Sequence, residues 1–494
     1  MNSFTMAQDL QSFIKQLEKI GQLKRIKRPI SIVHEMTEIH RRVIKAKGAA
    51  LLFENPLRGD GSISPIPVLV NLFGTIERVA MGLGVEVEGL PQLGETLVEL
   101  CRPPTFSSLN DVWKKLPLAR SVLSMRTKTR RHAPCQEVVL TGAEIDLDCL
   151  PIQHCWPGEP DPLITWPLVL TRDPENENDV NVGVYRLQRL RKDRLIMRWL
   201  AQRGGAKHYR AWQNKKRDMP VAIVIGSDPA LMLSAAMPLP ETISEIAFSG
   251  LLRKTCTDLI PGKTVPLMIP ANAEIVIEGQ VSFEKLENEG PYGDHTGYYN
   301  SVEPFPVMQV SAITMRRRPV YVSTYTGRAP DEPSRIGEAL NQLFIPLVKN
   351  QFPEVVDIWL PPETCSYRTI VVSINKRYPG HAKRVMLSLW SMLPQFNYTK
   401  LIIAVDPDIN IRNWEDVMWA ISTRFDASRD TIILENMPID YLDFASPQEG
   451  LGGKMALDAT NKLPGETHRQ WGKVLTMPSA IKKSVDNYWA ELGL

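Results

Sequence analysis

Between residues 126 and 330 the pattern is one of short strand-like segments, and several of them follow one another across connections too short for a helical crossover. Segments 166–171, 180–187, 195–200, 221–225, 273–281, 307–315 and 320–326 all carry this pattern. A polar turn at Lys192 and Asp193 joins the second to the third. Strands connected this tightly pair antiparallel, so the region is expected to form a barrel or a sandwich, with one helical insert at 240–253.

The flanks read differently. Before residue 126, helical patterns at 9–21, 31–47, 75–83 and 109–123 mix with buried strands at 49–53 and 67–73. The first helix gathers Leu10, Phe13, Ile14, Leu17 and Ile20 on one stripe. After 331, helices at 333–350, 381–392 and 414–425 alternate with strands at 355–360, 369–374, 401–405 and 431–435. That is the rhythm of a doubly wound or related α/β layer. A chain of 494 residues exceeds one ordinary core. The expected units are 1–125 (α/β), 126–330 (strand-rich) and 331–494 (α/β).

Charged residues make up 23% of the chain and the formal net charge is +3, so nothing global points to nucleic acid or membrane, and a cytoplasmic chain is expected. No apolar run approaches the length of a bilayer span, and Lys and Glu interrupt the N-terminal stripe too often for a signal peptide. The basic tract Leu23-Lys-Arg-Ile-Lys-Arg28 is a solvated face or turn on one reading, and a contact with an anionic membrane surface on another. None of the six cysteines forms a CxxC pair; Cys149 and Cys155 flank His154 at spacing that suits buried thiols better than zinc. His34-Glu-Met-Thr-Glu38 lacks the second His of a zinc-protease helix, and Gly82-Leu-Gly84 follows a helix rather than a strand. No GxxxxGK[ST] or GxSxG occurs, which weakens an ATPase or a serine hydrolase.

Three features carry chemistry. In Glu289-Gly-Pro-Tyr-Gly-Asp294 the glycines and proline force an irregular turn that can bring two carboxylates together, with His295, Tyr298 and Tyr299 as further donors. Such a turn serves either to cap backbone amides or to hold an acid whose burial keeps it protonated for proton delivery. From Arg186 to Arg217 there are twelve Lys or Arg and one acid, Asp193, with Trp199 and Trp212 among them and Arg203-Gly-Gly205 as a loop that can approach a phosphate. A single-stranded nucleic-acid platform, a solvated hairpin and a site for a planar phosphorylated cofactor all fit; the acid pair downstream favours the cofactor. Asn181, at the start of a strand, and Glu245, on the insert, are hard oxygen ligands suited to Mg²⁺ or Mn²⁺, although each alone also serves as a cap or surface group.

In this order the pieces resemble the UbiD family of decarboxylases. The matching stretches are Asn181-Val-Gly-Val-Tyr-Arg186, Met197-Arg-Trp-Leu200, Arg203-Gly-Gly205, Ser244-Glu245, Glu289-Gly-Pro-Tyr-Gly-Asp-His-Thr-Gly297, Ser323-Thr-Tyr-Thr-Gly-Arg328, Gly380-His-Ala-Lys-Arg384 and Asp440-Tyr-Leu-Asp-Phe444. The resemblance implies a central split β-barrel of flavin-reductase type between two α/β regions. It also implies prenylated FMN, supplied by a separate flavin prenyltransferase, with Mn²⁺ and K⁺ near its phosphate.

On the same basis Asn181 and Glu245 ligate the divalent metal. Val184, Tyr185, Arg186, Arg198, Trp199, Leu200, Arg203 and Gly204 hold the cofactor, with Lys383 as a further contact. Arg186 also faces the substrate carboxylate, and Asp294 is the proton donor with Glu289 its acidic partner. Some members place a metal-ligating His after the position of Trp199; here the chain reads Leu-Ala-Gln-Arg, so Gln202, water or a phosphate oxygen is left to complete the shell. The implied reaction is decarboxylation of 4-hydroxy-3-polyprenylbenzoate in ubiquinone biosynthesis, by a dimer or a hexamer assembled through 331–494. A polyprenyl tail would bring the chain to the inner face of the cell membrane, aided by the N-terminal helix. Another aromatic or α,β-unsaturated acid is the alternative substrate, and a flavin-binding assembly protein without catalysis is the alternative role.

Overall fold

The computed structural model describes residues 6–101, 122–200, 203–237, 239, 243–365, 367–392 and 394–493. The expected helix at 109–123 therefore lies almost wholly outside the described residues, as does Gln202.

The middle of the chain forms one large antiparallel sheet. Its spatial order is Val180–Val184, Pro167–Arg172, Met219–Ile225, Ile275–Glu289, Glu303–Met315, Arg194–Met197, Leu187–Arg191 and Leu163–Ile164, and Val138–Thr141 adds to the free side of Glu303–Met315. Side chains of a strand alternate between faces, and here both faces are covered. Val221, Ile223 and Ile225 enter one core with Val169, Ile275 and Ile277. Ala222 and Val224 enter another with Leu168, Leu170 and Val276. Burial on both faces explains why these strands read as continuous apolar runs rather than alternating ones.

The second core is closed by the N-terminal helix Leu10–Lys19, started by a capping box in which Ser12 N donates to Asp9 Oδ1 (2.8 Å) and Asp9 N to Ser12 Oγ (3.2 Å). Leu10, Phe13, Ile14 and Leu17 are buried in that core, each stabilising it by about 1.5–3 kcal/mol relative to exposure. The stripe offered in sequence as a membrane face is thus consumed by the fold, and only Ile20 stays outside. The basic tract is a strand, Leu23–Ile26, parallel to Ala50–Phe53, and Arg25 is paired to Glu18 and Glu54. Val68–Val70 and Tyr321–Val322 complete that four-stranded sheet.

Toward the C-terminus, Val355–Trp359, Thr369–Ile374, Leu401–Val405, Leu451–Ala459 and Thr431–Pro438 lie in that order, parallel across the three central strands and antiparallel at both edges. Helices Glu332–Gln351, His381–Met392 and Trp414–Arg424 connect these strands or lead into them. Leu451–Ala459, which the sequence reading does not anticipate, joins the edge strand Thr431–Pro438 to the rest of this sheet.

Candidate active site

The strands Leu187–Arg191 and Arg194–Met197 form a hairpin in which Leu187 is registered opposite Met197. Arg186 and Arg198 lie one residue beyond that pair. Leu187 and Met197 are fully buried on the core side, so alternation turns the two arginines to the opposite face. Both reach the last residue of the long central strand, Glu289. Arg186 Nε donates to Glu289 Oε1 (2.9 Å) and Nη2 to Oε2 (3.1 Å), while Arg198 Nη1 donates to Oε2 (2.7 Å). Glu289 has no solvent exposure, and charge-assisted donors on both of its oxygens match the carboxylate anion.

The turn after Glu289 is held by Asn300. Its Oδ1 accepts from Tyr292 N (2.8 Å) and from Arg186 Nη2 (2.8 Å), and its backbone N donates to Tyr292 O (3.0 Å). Gly290 sits at φ +90°, a conformation that L side chains rarely adopt. The path delivers Asp294, whose Oδ2 accepts from Arg186 Nη1 at 3.2 Å. One guanidinium therefore binds both carboxylates that sequence spacing had proposed as a pair.

Asp294 Oδ1 accepts from the backbone N of His295 and lies 2.7 Å from that residue's Nδ1. The far ring nitrogen, Nε2, is 3.4 Å from Asp440 Oδ2, and Asp440 also accepts from Tyr367 Oη (2.9 Å) and Arg368 Nη2 (3.3 Å). Arg198 Nη2 reaches Tyr441 Oη (2.6 Å) and Glu303 Oε2 (3.0 Å). The C-terminal unit thus closes the site with Tyr367, Arg368, Asp440 and Tyr441. Of these, sequence reading singled out only the 440–444 stretch, and without a role; His295 was in view only as a further donor beside the acids.

Electrostatics differ from the expected burial-protonated acid. Burial alone would raise the Asp294 carboxyl, but the His295 hydrogen bond and charge, with Arg186, outweigh it and leave the group below its ordinary range. Burial works against the His295 imidazolium, yet bonds to Asp294 and Asp440 push its pKa up to about 10. Asp440 is held well below the carboxylate range: burial opposes this, and His295, the Leu442 amide and Tyr367 overcome it. The resting state is therefore an Asp294 anion beside a protonated His295. Because folding raises the His295 pKa from 6.5 to about 10, its stabilisation is complete below about pH 6.5 and fades as pH rises toward 10. Thermal unfolding across that range should show the gap between wild type and His295→Gln shrinking with rising pH; a gap that grows would contradict the ion-pair arrangement.

A second cluster lies on the Val180–Val184 strand and the helix Gly204–Asn214. Glu245, first residue of helix Glu245–Arg253, accepts a long bond from Val182 N (3.3 Å), and burial pushes its pKa up to about 7. A buried carboxylate so weakly compensated is one that a divalent cation would relieve. Asn181 Nδ2 is 3.4 Å from Tyr185 Oη, which in turn accepts from Gly205 N (2.9 Å). A Cβ on Gly204 would lie 2.1 Å from Asn181 Oδ1, so the helix begins pressed against the amide. Arg203 precedes the helix without a side-chain cap, leaving N-terminal amide groups suited to a phosphate. Trp199 packs edge-on to Tyr185 (5.1 Å), and its buried Nε1 has no hydrogen-bond partner among the described residues. These residues fit a phosphorylated cofactor with a divalent metal. Val184 and Leu200, half-buried, flank the hairpin arginines. Arg198 is paired to Glu289 and Glu303 and donates to Tyr441 Oη. Lys383 takes no part in the hydrogen bonds gathered around Arg186; its amine donates to Arg429 O (2.8 Å).

Two carboxylates sharing one arginine, beside a helix start that lacks a side-chain cap, have the make-up of an acid–base centre. Family profiles described as the N-terminal, Rift-related and C-terminal domains of 3-octaprenyl-4-hydroxybenzoate carboxy-lyase, UbiD, match residues 14–97, 126–329 and 334–459. The chain belongs to this family of carboxy-lyases. The UbiD-class enzyme HmfF from Pelotomaculum thermopropionicum in complex with FMN is 28% identical, with 97% of this chain and 100% of that one covered and a TM-score of 0.79. An evolved dimeric form of HmfF in complex with prFMN matches at 28% identity over 98% and 100% of the two chains, TM-score 0.77. Vanillic acid decarboxylase of Sedimentibacter hydroxybenzoicus in its closed form matches at 26% identity over 99% of each chain, TM-score 0.82.

Proposed function

We propose that the chain removes CO₂ from an aromatic 4-hydroxy acid, with 4-hydroxy-3-polyprenylbenzoate as the first candidate and 2-polyprenylphenol as its product. The observation that carries this reading is Arg186, tied at once to Glu289 and Asp294. The similarity to enzymes whose structures are in complex with FMN and prFMN, and to a vanillic acid decarboxylase, supports an aromatic acid substrate and a prenylated FMN cofactor. When bound, that cofactor supplies the electrophile that takes up the electron pair left as CO₂ departs. Asn181 and Glu245 would hold Mn²⁺, and Arg203 with the Gly204 helix start would hold the phosphate; K⁺ belongs to the same proposal without an assigned ligand. A flavin prenyltransferase is the expected supplier.

The protein's own residues account for orientation and protonation. Arg186 orients the substrate carboxylate through its guanidinium. That competing anion weakens the hold of Arg186 on Asp294 and raises the carboxyl's affinity for a proton. Protonated His295, 2.7 Å away, supplies it, and Asp294 passes it to the ring carbon that has lost CO₂. Glu289, held by Arg198 as well, keeps Arg186 in place during the exchange.

A split barrel of flavin-reductase type, with units at 1–125, 126–330 and 331–494, belongs to the same proposal; the large antiparallel sheet supports the strand-rich middle, while Tyr321–Val322 pairs with the N-terminal sheet instead. The C-terminal helix Ser479–Tyr488 buries none of its residues and stands among exposed Leu475, Met477, Ile481 and Trp489, which favours assembly into a dimer or a hexamer. Among the described residues no helix is long and apolar enough to cross a membrane.

Co-expression with a flavin prenyltransferase, mass spectrometry of the released cofactor and assays with prenylated and unprenylated 4-hydroxybenzoates test the proposal. Absence of modified flavin together with absence of CO₂ release would refute it. In the same preparation Gly204→Ala should weaken FMN binding about tenfold or more, because its Cβ displaces Asn181; unaltered affinity would remove the helix start from the cofactor site.

A further inference from the structure

A cavity of about 870 Å³ opens where the N-terminal helix, the four-stranded sheet and the far end of the large sheet meet. It is separate from the acid–base centre. Glu303, at one end of the strand Glu303–Met315, contacts Arg198, whereas Met315, at the other end, lines the cavity. Its volume falls in the range of about 300–1,000 Å³ typical of small-molecule sites. Ile14, Leu52, Ile66, Val138, Leu140 and Val320 supply apolar walls.

The charged lining is of one sign. Lys15, Arg25, Arg58, Arg316, Arg317 and Arg318 line the cavity, and no Asp or Glu does. Arg25 is neutralised by Glu18 and Glu54, and Arg316 by Asp9 and Glu274. Lys15, Arg58, Arg317 and Arg318 have no carboxylate within ion-pair distance among the described residues. Arg58 spends one nitrogen on Cys149 O (2.9 Å), and its buried Nε has no hydrogen-bond partner among those residues. Burying an unsatisfied guanidinium nitrogen in an apolar recess is unfavourable unless a ligand completes it.

From this geometry we infer that the cavity binds a single-chain anionic amphiphile, a long-chain carboxylate, with its tail against the apolar walls and its head among Arg58, Arg317 and Arg318. The inference is independent of what the catalytic site decarboxylates.

The test uses the full-length protein and the fluorescent long-chain carboxylate cis-parinarate, with its methyl ester as the uncharged control. Saturable binding of the acid is expected, with weaker binding of the ester. Arg317 and Arg318 are exposed, so the double variant Arg317→Gln/Arg318→Gln should fold normally, keep its decarboxylation rate and lose about tenfold in affinity. Leu140→Trp, which fills the cavity, should abolish binding at unchanged catalytic rate. Equal binding of acid and ester, no saturable binding, or full affinity in Leu140→Trp would each overturn the inference. So would co-sedimentation with phosphatidylglycerol vesicles when free parinarate fails to bind, which would make the patch a membrane contact. A lower assembly mass for Leu140→Trp in light scattering would make the groove an interface between copies and overturn it as well.

Discussion

Asp294→Asn should yield a folded protein that binds flavin with wild-type affinity and releases CO₂ on the order of 10²–10⁴ times more slowly. The amide keeps an oxygen for the His295 backbone N–H and a similar volume, so the turn held by Asn300 has no reason to move. What disappears is the group that carries the proton, together with the anion that helps hold His295 protonated. The His295 pKa should then fall from about 10, with Asp440 left as its remaining anionic partner. Turnover measured with prenylated FMN in place, combined with an NMR titration of the imidazole, reads both effects. Wild-type turnover would transfer the proton-donor role away from Asp294; loss of flavin along with turnover would make the residue structural.

Replacing Arg186 by Met should damage stability and catalysis together. Glu289 would lose two of its three guanidinium hydrogen bonds while remaining without solvent exposure. Breaking a buried pair by removing one partner costs about 3–5 kcal/mol, and the surviving Arg198 bond places this case toward the lower end. Removing both partners should be milder than the single losses suggest: Arg186→Met/Glu289→Gln should unfold at a higher temperature than additivity predicts, since no unpaired charge is left behind. In the kinetics, loss of the guanidinium should raise KM for the acid and lower kcat, because the same group orients the substrate and releases Asp294. A variant with unchanged melting temperature and unchanged kcat/KM would separate Arg186 from both roles. Arg186→Lys should restore little, because a point charge cannot span two carboxylates with the geometry of a fork.

Much of this site was legible along the chain. The strands at 180–187 and 195–200 placed Arg186 and Arg198 near one another, although the first strand in fact breaks at Tyr185 and Arg186, and the hairpin partner is Leu187–Arg191. The turn residues from Gly290 to Gly293 announced an irregular path, and spacing alone proposed Glu289 and Asp294 as a pair. Two readings failed for a common reason. The amphipathic stripe of the first helix shows that one face must be covered, but not by what; the fold supplies the outer face of the large sheet rather than a membrane. Burial of Asp294 was anticipated, but the sign of its shift was not. That sign depends on a histidine and an arginine whose distances are absent from a linear pattern.

Local chemistry along the chain determined which elements form, which turn carries the acids and which arginines lie at the open end of the hairpin, because period, turn residues and register act over a few positions. Tertiary structure alone decided that Asp440, Tyr441, Tyr367 and Arg368 close the site from loops of the C-terminal unit, and that His295 lies between two carboxylates. Those contacts join residues far apart in sequence, and their energies depend on burial and distance, which exist only once the chain has folded.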